Sequence, residues 1–214
     1  MIQKFLIVLS FFTRIPVGKR NFSSLTLADL VAFFPIAGAI IGLLDGGFYL
    51  VMLKFGLSAS ISAWLTVIFH LLLTGGLHED GLADTADGLA SGRNREQKLA
   101  IMHDSRIGSY GVIALVTIIS LRANIIASFD NSLQILPIFI VTAACSRSLL
   151  AVFMRSVVYA RSDGLAVEAG KPALAQTTIA ISLGVCSLLL LGKIAVISMA
   201  IFALIIIYII IRWI

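Results

Sequence analysis

Thr74-Gly-Gly-Leu-His-Glu-Asp-Gly-Leu-Ala-Asp-Thr-Ala-Asp-Gly88, followed by Ile101-Met-His-Asp-Ser-Arg-Ile-Gly-Ser-Tyr-Gly111, is the stretch around which the chain is organised. The protein has only 11 acidic residues, and Glu79, Asp80, Asp84 and Asp87 fall in this short run, with Asp104 shortly after. Asp80, Asp84 and Asp87 stand at i, i+4 and i+7. At about 100° per residue they lie within roughly 60° of one another on a helix. Like charges one turn apart disfavour a bare helix. A divalent metal, or a metal plus a phosphate, would reverse that penalty. Oxygen-only donors suit magnesium or manganese rather than zinc or copper. Magnesium takes one or two protein carboxylates and fills its shell with water and phosphate oxygens. Asp80, Asp84, Asp87 and Asp104 together therefore suggest two metals, or one metal and a general base. Glu79 sits one residue off that face and ranks below them.

Around this stretch the chain is overwhelmingly apolar. Of 214 residues, 59% are hydrophobic and 13% charged, about half the charge of a soluble domain, and mean hydropathy is +1.05. Strand-type alternation is absent, and lipid leaves no partner for an open sheet edge. The composition therefore predicts an all-α, polytopic membrane protein. Cys145 and Cys186 lie in separate apolar segments and read as reduced, packed thiols. No zinc-type Cys/His spacing occurs. The net charge of +5 reads as membrane topology; the basic–aromatic interleaving of single-strand nucleic-acid binding is missing.

Residues 1–12 are apolar but shorter than the ~20 residues of a spanning helix, and predict an interfacial helix. No small-residue cleavage site follows, so a signal peptide is not expected. Thr26 is a candidate cap for the next helix, with Asp29 in its first turn. Spans are expected at about 30–53, 58–77, 109–129, 133–154, 175–191 and 195–214. Gly38, Gly42 and Gly46 make a small-residue stripe in the first of them, a pattern for close helix approach. The acidic stretch is expected to be helical on either side of Gly81 and Gly88, and Arg93, Arg95 and Lys98 to form a wet, basic connection. With the N-terminus in the cytoplasm, Lys4, Arg14, Lys19, Arg20, Arg93, Arg95, Lys98, Arg106, Arg155, Arg161, Lys171 and Arg212 fall inside, and Lys54 and Lys193 outside. That asymmetry places the acidic stretch on the cytoplasmic side.

Several residues outside the acidic run could carry chemistry. Asp104-Ser105-Arg106 is either a turn before Gly108 or a phosphate-holding group, with Arg106 bidentate and Asp104 adding a metal ligand. Arg147 lies within a hydrophobic span, where a charge must be paired or hydrated; it is an anion clamp or a structural partner, with Asp45 available. Arg14 and Arg161 are anion clamps or topology markers. Arg122 reads as structural. His78 and His103 read as hydrogen-bonding neighbours of the acids.

The acidic run and Ile101–Gly108 closely resemble the signature of the adenosylcobinamide-GDP ribazoletransferase (cobalamin synthase) family. Phe12-Thr-Arg-Ile-Pro-Val17, Phe34-Pro-Ile-Ala-Gly38, Ser146-Arg147, Tyr159-Ala-Arg161 and Gly164-Leu165 match in family order over nearly the whole chain. The resemblance implies a magnesium-dependent enzyme of the prokaryotic inner membrane, a single transferase domain over 1–214. It implies joining of adenosylcobinamide-GDP to alpha-ribazole or its 5′-phosphate, with GMP released, at the end of cobalamin assembly. On this basis Asp84, Asp87 and Arg106 are the expected catalytic residues, and Arg14, Ser105, Arg147 and Arg161 the expected substrate contacts. Asp80, Asp84, Asp87 and Asp104 are the expected metal ligands. The family pattern includes a further C-terminal helix pair with Gly-Asp and Glu, and this chain ends at Ile214 before it. Asp84-x-x-Asp87-Gly88 also echoes the opening of the CDP-alcohol phosphotransferase motif, whose later half is not found. The alternative reading is a divalent-cation transporter using the acidic cluster as its ion site. That reading predicts acids near the bilayer midplane and repeated halves, and no second copy of the cluster exists. A structural subunit of a membrane assembly would explain the helices but not the acids; a homo-oligomer is compatible with either reading.

Overall fold

The computed structural model describes residues 1–17, 25–129, 132–162 and 164–191. The expected sixth span at 195–214, with Lys19, Arg20, Lys193 and Arg212, lies outside the described residues. Among the described residues there is no strand, and the α-helices are α1 (Ile2–Phe12), α2 (Phe34–Lys54), α3 (Ala59–Thr74), α4 (Leu77–Ser91), α5 (Arg95–Ile101), α6 (Ser109–Ala127), α7 (Ser132–Ser156), α8 (Leu165–Ala169) and α9 (Leu174–Ser187). Among the described residues four helical runs are long and apolar enough to cross a membrane: Leu27–Lys54, Ser109–Ala127, Gln134–Ser156 and Leu174–Leu191. A fifth arises if α3 and α4, bent by 93° at their junction, form one broken span. The outward residues of α6 are apolar: Ile113 and Val116 are 60% exposed and Leu121 52%. A soluble protein rarely shows so continuous an apolar surface; here it is the face for lipid. The protein is thus a multi-pass helical membrane protein, as the composition predicts.

The chain folds as two compact units that interleave in sequence. The first contains the described residues of Met1–Phe11, Pro16–Gly47 and Asn131–Ile214; the second contains Phe12–Ile15 and Phe48–Asp130.

In the first unit a 3-10 turn, Leu27–Phe33, leads into α2. Its entry is fixed by Asp29, whose Oδ2 accepts from both the Thr26 N–H (3.0 Å) and the Thr26 hydroxyl (2.9 Å). Thr26 and Asp29 thus form a capping box at the start of this turn. The glycine stripe does what its spacing predicts. A Cβ on Gly38 would run into the Ala143 carbonyl, one on Gly42 into the Phe139 carbonyl, and one on Gly46 would touch Leu136 and Phe139. α2 and α7 therefore meet backbone to backbone. α7 also packs along α9, where Gly184 leaves room for the Ser148 hydroxyl and the Cys145 thiol donates to the Gly184 carbonyl at 3.3 Å. Both cysteines are free thiols, as expected, but only Cys145 is partly packed; Cys186, on α9, is exposed rather than packed. α1 is too short to span, and Ile7, Val8 and Leu9 along it are buried.

The second unit is built on α3, α4 and α6. Ser58 caps α3, its hydroxyl accepting from the Ile61 N–H at 3.3 Å. Two consecutive glycines, Gly75 (φ +75°) and Gly76 (φ +70°), turn the chain into α4. Both occupy left-handed backbone that a side chain disfavours. Two expectations need correction here. α4 passes unbroken through Gly81 and Gly88 rather than breaking at them. The basic connection also contains a helix, α5, whose Asn94 cap accepts from the Gln97 N–H at 2.9 Å. At Gly88 the reason is packing, whereas a Cβ on Gly81 would meet nothing within 4 Å. A Cβ on Gly88 would meet the Met102 side chain and the Lys98 carbonyl (2.9 Å), so Gly88 is the gap into which the α5 end fits.

Candidate active site on the acidic helix

α4 runs antiparallel along α6. Near its end, Asp87 meets the first turn of α6: its Oδ2 accepts from the Gly108 N–H at 2.7 Å and its Oδ1 from the Gly111 N–H at 2.8 Å. Near its start, Glu79 pairs with Arg122 at 3.6 Å. Gly111 and Arg122 are about 16 Å apart along a helix, against about 12 Å for Glu79 to Asp87. The acidic stretch is thus a helix laid on the flank of a candidate span.

Asp87 is 6% exposed and buried against the α6 N-terminus. The first N–H groups of a helix have no intrahelical acceptor and carry partial positive charge. A carboxylate satisfies both needs. Ala83, one turn earlier, is also buried. Asp80 is exposed and Asp84 half-buried, one turn apart on α4.

Asp104 and Arg106 pair with each other. The guanidinium approaches Asp104 Oδ2 at 2.7 Å, and the Arg106 N–H donates to Oδ1 at 3.0 Å. Hydrogen bonds and charge from Arg106 hold the Asp104 carboxyl down at about 2. The pair stands in the turn before α6 with Arg106 fully in solvent, and Ser105 between them is exposed.

Arg14 is exposed, and its Nε and Cγ lie against Gly75 at the α3–α4 bend, while its backbone N–H donates to the Leu73 carbonyl at 2.7 Å. Its charge therefore stands at the start of the acidic helix. His78, also at that start, is exposed and its ring lies 6.0 Å from that of Phe12. Arg147 and Arg161 belong to the first unit. Arg147, on α7, is 7% exposed and its Nη1 donates to the Ser146 hydroxyl at 3.0 Å. Asp45, in the same unit, is 2% exposed.

The four carboxylates expected to share metal are not gathered at one point. Among the described residues no three His, Cys, Asp or Glu side chains form a group that could hold a metal ion. Asp87 is turned to the α6 N-terminus and Asp104 to Arg106. Asp80 and Asp84 remain, two oxygen donors one turn apart on a face open to solvent. That donor set fits magnesium, which needs one or two carboxylates and completes its shell from water and phosphate. Sequence reasoning ranked Glu79 low and missed its bond to Arg122. The signal was present: Glu79, Ala83 and Asp87 stand at i, i+4 and i+8, one helical face.

These features define a class: a polytopic helical membrane protein with an acid-bearing helix packed against a span, and basic side chains at both ends of that helix. The family model described as cobalamin-5-phosphate synthase matches residues 4–214. The adenosylcobinamide-GDP ribazoletransferase of Mesorhizobium japonicum is 39% identical over 184 residues, covering 86% of this chain and 71% of that protein. The protein of the same name from Bradyrhizobium diazoefficiens is 40% identical over 179 residues, 83% of this chain and 69% of its own. That from Allorhizobium ampelinum is 41% identical over 169 residues, 77% and 65%. No solved structure matches the chain. The chain belongs to the cobalamin-5-phosphate synthase family of enzymes.

Proposed function

We propose that this chain joins adenosylcobinamide-GDP to alpha-ribazole or its 5′-phosphate, giving adenosylcobalamin or its phosphate and GMP. The site would face the cytoplasm from a prokaryotic inner membrane. Family membership supports the reaction. The observation that carries the site is the pair Asp80 and Asp84, left open on a helix whose other carboxylates are engaged.

A ribose hydroxyl attacks the corrin-side phosphorus of the pyrophosphate. A new P–O bond forms, the bond to the GMP oxygen breaks, and the hydroxyl proton passes to a carboxylate. Such transfer is chiefly positioning and charge neutralisation. Asp80 and Asp84 would hold magnesium or manganese, which would supply charge stabilisation for the leaving phosphate. Whichever carboxylate oxygen stays out of that shell takes the hydroxyl proton, help worth about 10²–10⁴-fold. Arg14 and Arg106 flank α4 and would bind non-bridging phosphate oxygens, with Ser105 beside Arg106. For Arg147 and Arg161 the family resemblance supports a role as substrate contacts.

The test is single-turnover GMP release by purified protein in detergent, with and without magnesium. Metal-dependent GMP release matched by corrin product is the expected result. Asp84→Asn should lower the rate by roughly 10²-fold or more in folded protein. Full turnover by Asp80→Asn and Asp84→Asn would sink the assignment. Magnesium flux through liposomes carrying the protein, in place of GMP release, would favour a transporter.

A further inference from the structure

We propose that Asp87 is a positioning residue of this site rather than one of its cation ligands: its carboxylate pins α4 to the first turn of α6 and so sets where Asp80 and Asp84 stand. This rests on the transferase reading for its catalytic consequence, but the pin itself is a matter of geometry.

Both Asp87 oxygens are already used, on backbone N–H groups at 2.7 and 2.8 Å, in a position 94% withdrawn from solvent by its 6% exposure. Charged acceptors on backbone donors make short, strong bonds. Taking Asp87 into a metal shell would compete for lone pairs that the α6 N-terminus holds. The receiving turn is shaped for this carboxylate and nothing larger. A Cβ on Gly108 would collide with Asp87 Oδ1, and a Cβ on Gly111 with Oδ2. Gly111 also lies close to α4 itself, its Cβ position falling 3.1 Å from the Ala83 carbonyl. Two glycines three residues apart are thus the imprint of one carboxylate from another helix. At the other end of α4, the Glu79–Arg122 contact supplies a second anchor. Two anchors fix both the rotation and the axial register of α4. Asp80 and Asp84 are carried by that helix, and a shift of about 1 Å at reacting groups can cost 10²-fold in rate.

The experiment compares Asp87→Asn, Gly111→Ala and Asp84→Asn in the full chain, purified in detergent. Three quantities are read: amide hydrogen exchange over 108–112, Mn2+ affinity by electron paramagnetic resonance, and kcat with KM for GMP release. Gly111→Ala keeps the Asp87 carboxylate and displaces it, so it separates place from ligation. The expected result is that Asp87→Asn and Gly111→Ala behave alike. Both speed exchange over 108–112 by roughly 10- to 100-fold, and both lower kcat more than they raise KM. Both leave far more Mn2+ affinity than Asp84→Asn does. Loss of Mn2+ binding in Asp87→Asn equal to that in Asp84→Asn, while Gly111→Ala binds normally, overturns the proposal. Should the unaltered protein bind no Mn2+ and release no GMP, the transferase reading fails and exchange alone decides the pin. Unchanged protection over 108–112 in both variants would then refute it.

Discussion

The α2–α7 contact and the α4–α6 contact are both close helix approaches, made by opposite means. In the first, Gly38, Gly42 and Gly46 remove side chains so that backbone meets the backbone of Phe139 and Ala143. In the second, glycines on α6 make room for a carboxylate, and Asp87 and Glu79 bind across the gap. The first contact depends on dispersion and shape, the forces that remain between helices when lipid removes the hydrophobic driving force. The second depends on charge-assisted hydrogen bonds, which are directional and fix register. A contact of the first kind holds a scaffold. One of the second kind holds a helix in one rotation, which is what a set of acidic side chains needs if some are to be anchors and others free.

The difference can be broken most severely on the glycine side. Gly42→Leu should abolish stable protein, since even the first added carbon meets the Phe139 carbonyl. Gly42→Ala should cost about 1–3 kcal/mol, the usual penalty of overpacking, seen as a lower midpoint in thermal unfolding in detergent. Gly47→Ala, where an added Cβ meets nothing within 4 Å, should be neutral or slightly stabilising. A gain at Gly42 equal to that at Gly47 would show that helix propensity, not packing, governs the first contact.

On the polar side the effects are smaller. A double-mutant cycle with Glu79→Gln and Arg122→Gln should show coupling of about 1 kcal/mol, because the pair is long at 3.6 Å and partly solvated. Zero coupling would leave Asp87 as the polar anchor of α4 on α6 among the described residues. Asp104 should give the smallest effect. Its carboxyl is held at about 2 by Arg106, below the usual carboxylate range. The pair is therefore fully formed above the ordinary carboxylate pKa and is lost only as pH falls through about 2. A pH profile of GMP release should show no inflection from Asp104 between pH 5 and 8, and Asp104→Asn should leave the shape of that profile unchanged. An inflection that disappears in Asp104→Asn would mean the Asp104–Arg106 pair opens in the working enzyme.

Much of the architecture was legible in the sequence. Membrane residence followed from hydropathy, because 20-residue apolar runs have few other uses. The α2 stripe followed from four-residue glycine spacing, but the span expected at 58–77 ran through Gly75-Gly76, where α3 in fact ends and the chain bends by 93°. The family was legible because Gly75–Gly88 and Ile101–Gly108 are long and specific. The passage of α4 through Gly88 was hidden, because glycine lowers helix propensity locally while contacts with α5 override it there.

The acids show where the boundary falls. Sequence by itself determined that carboxylates crowd one helix face at 80, 84 and 87 and that oxygen donors of this kind suit a hard cation. It could not divide them. Asp87 lies only 20° from Asp80 around the helix, so periodicity groups them together. What separates them is a neighbour 21 to 24 residues further on, in the first turn of α6. Only tertiary structure brings those N–H groups to Asp87, Arg122 to Glu79 and solvent to Asp80. Helical spacing fixes which side chains share a face. The partners that approach that face decide which of them stay free to do chemistry.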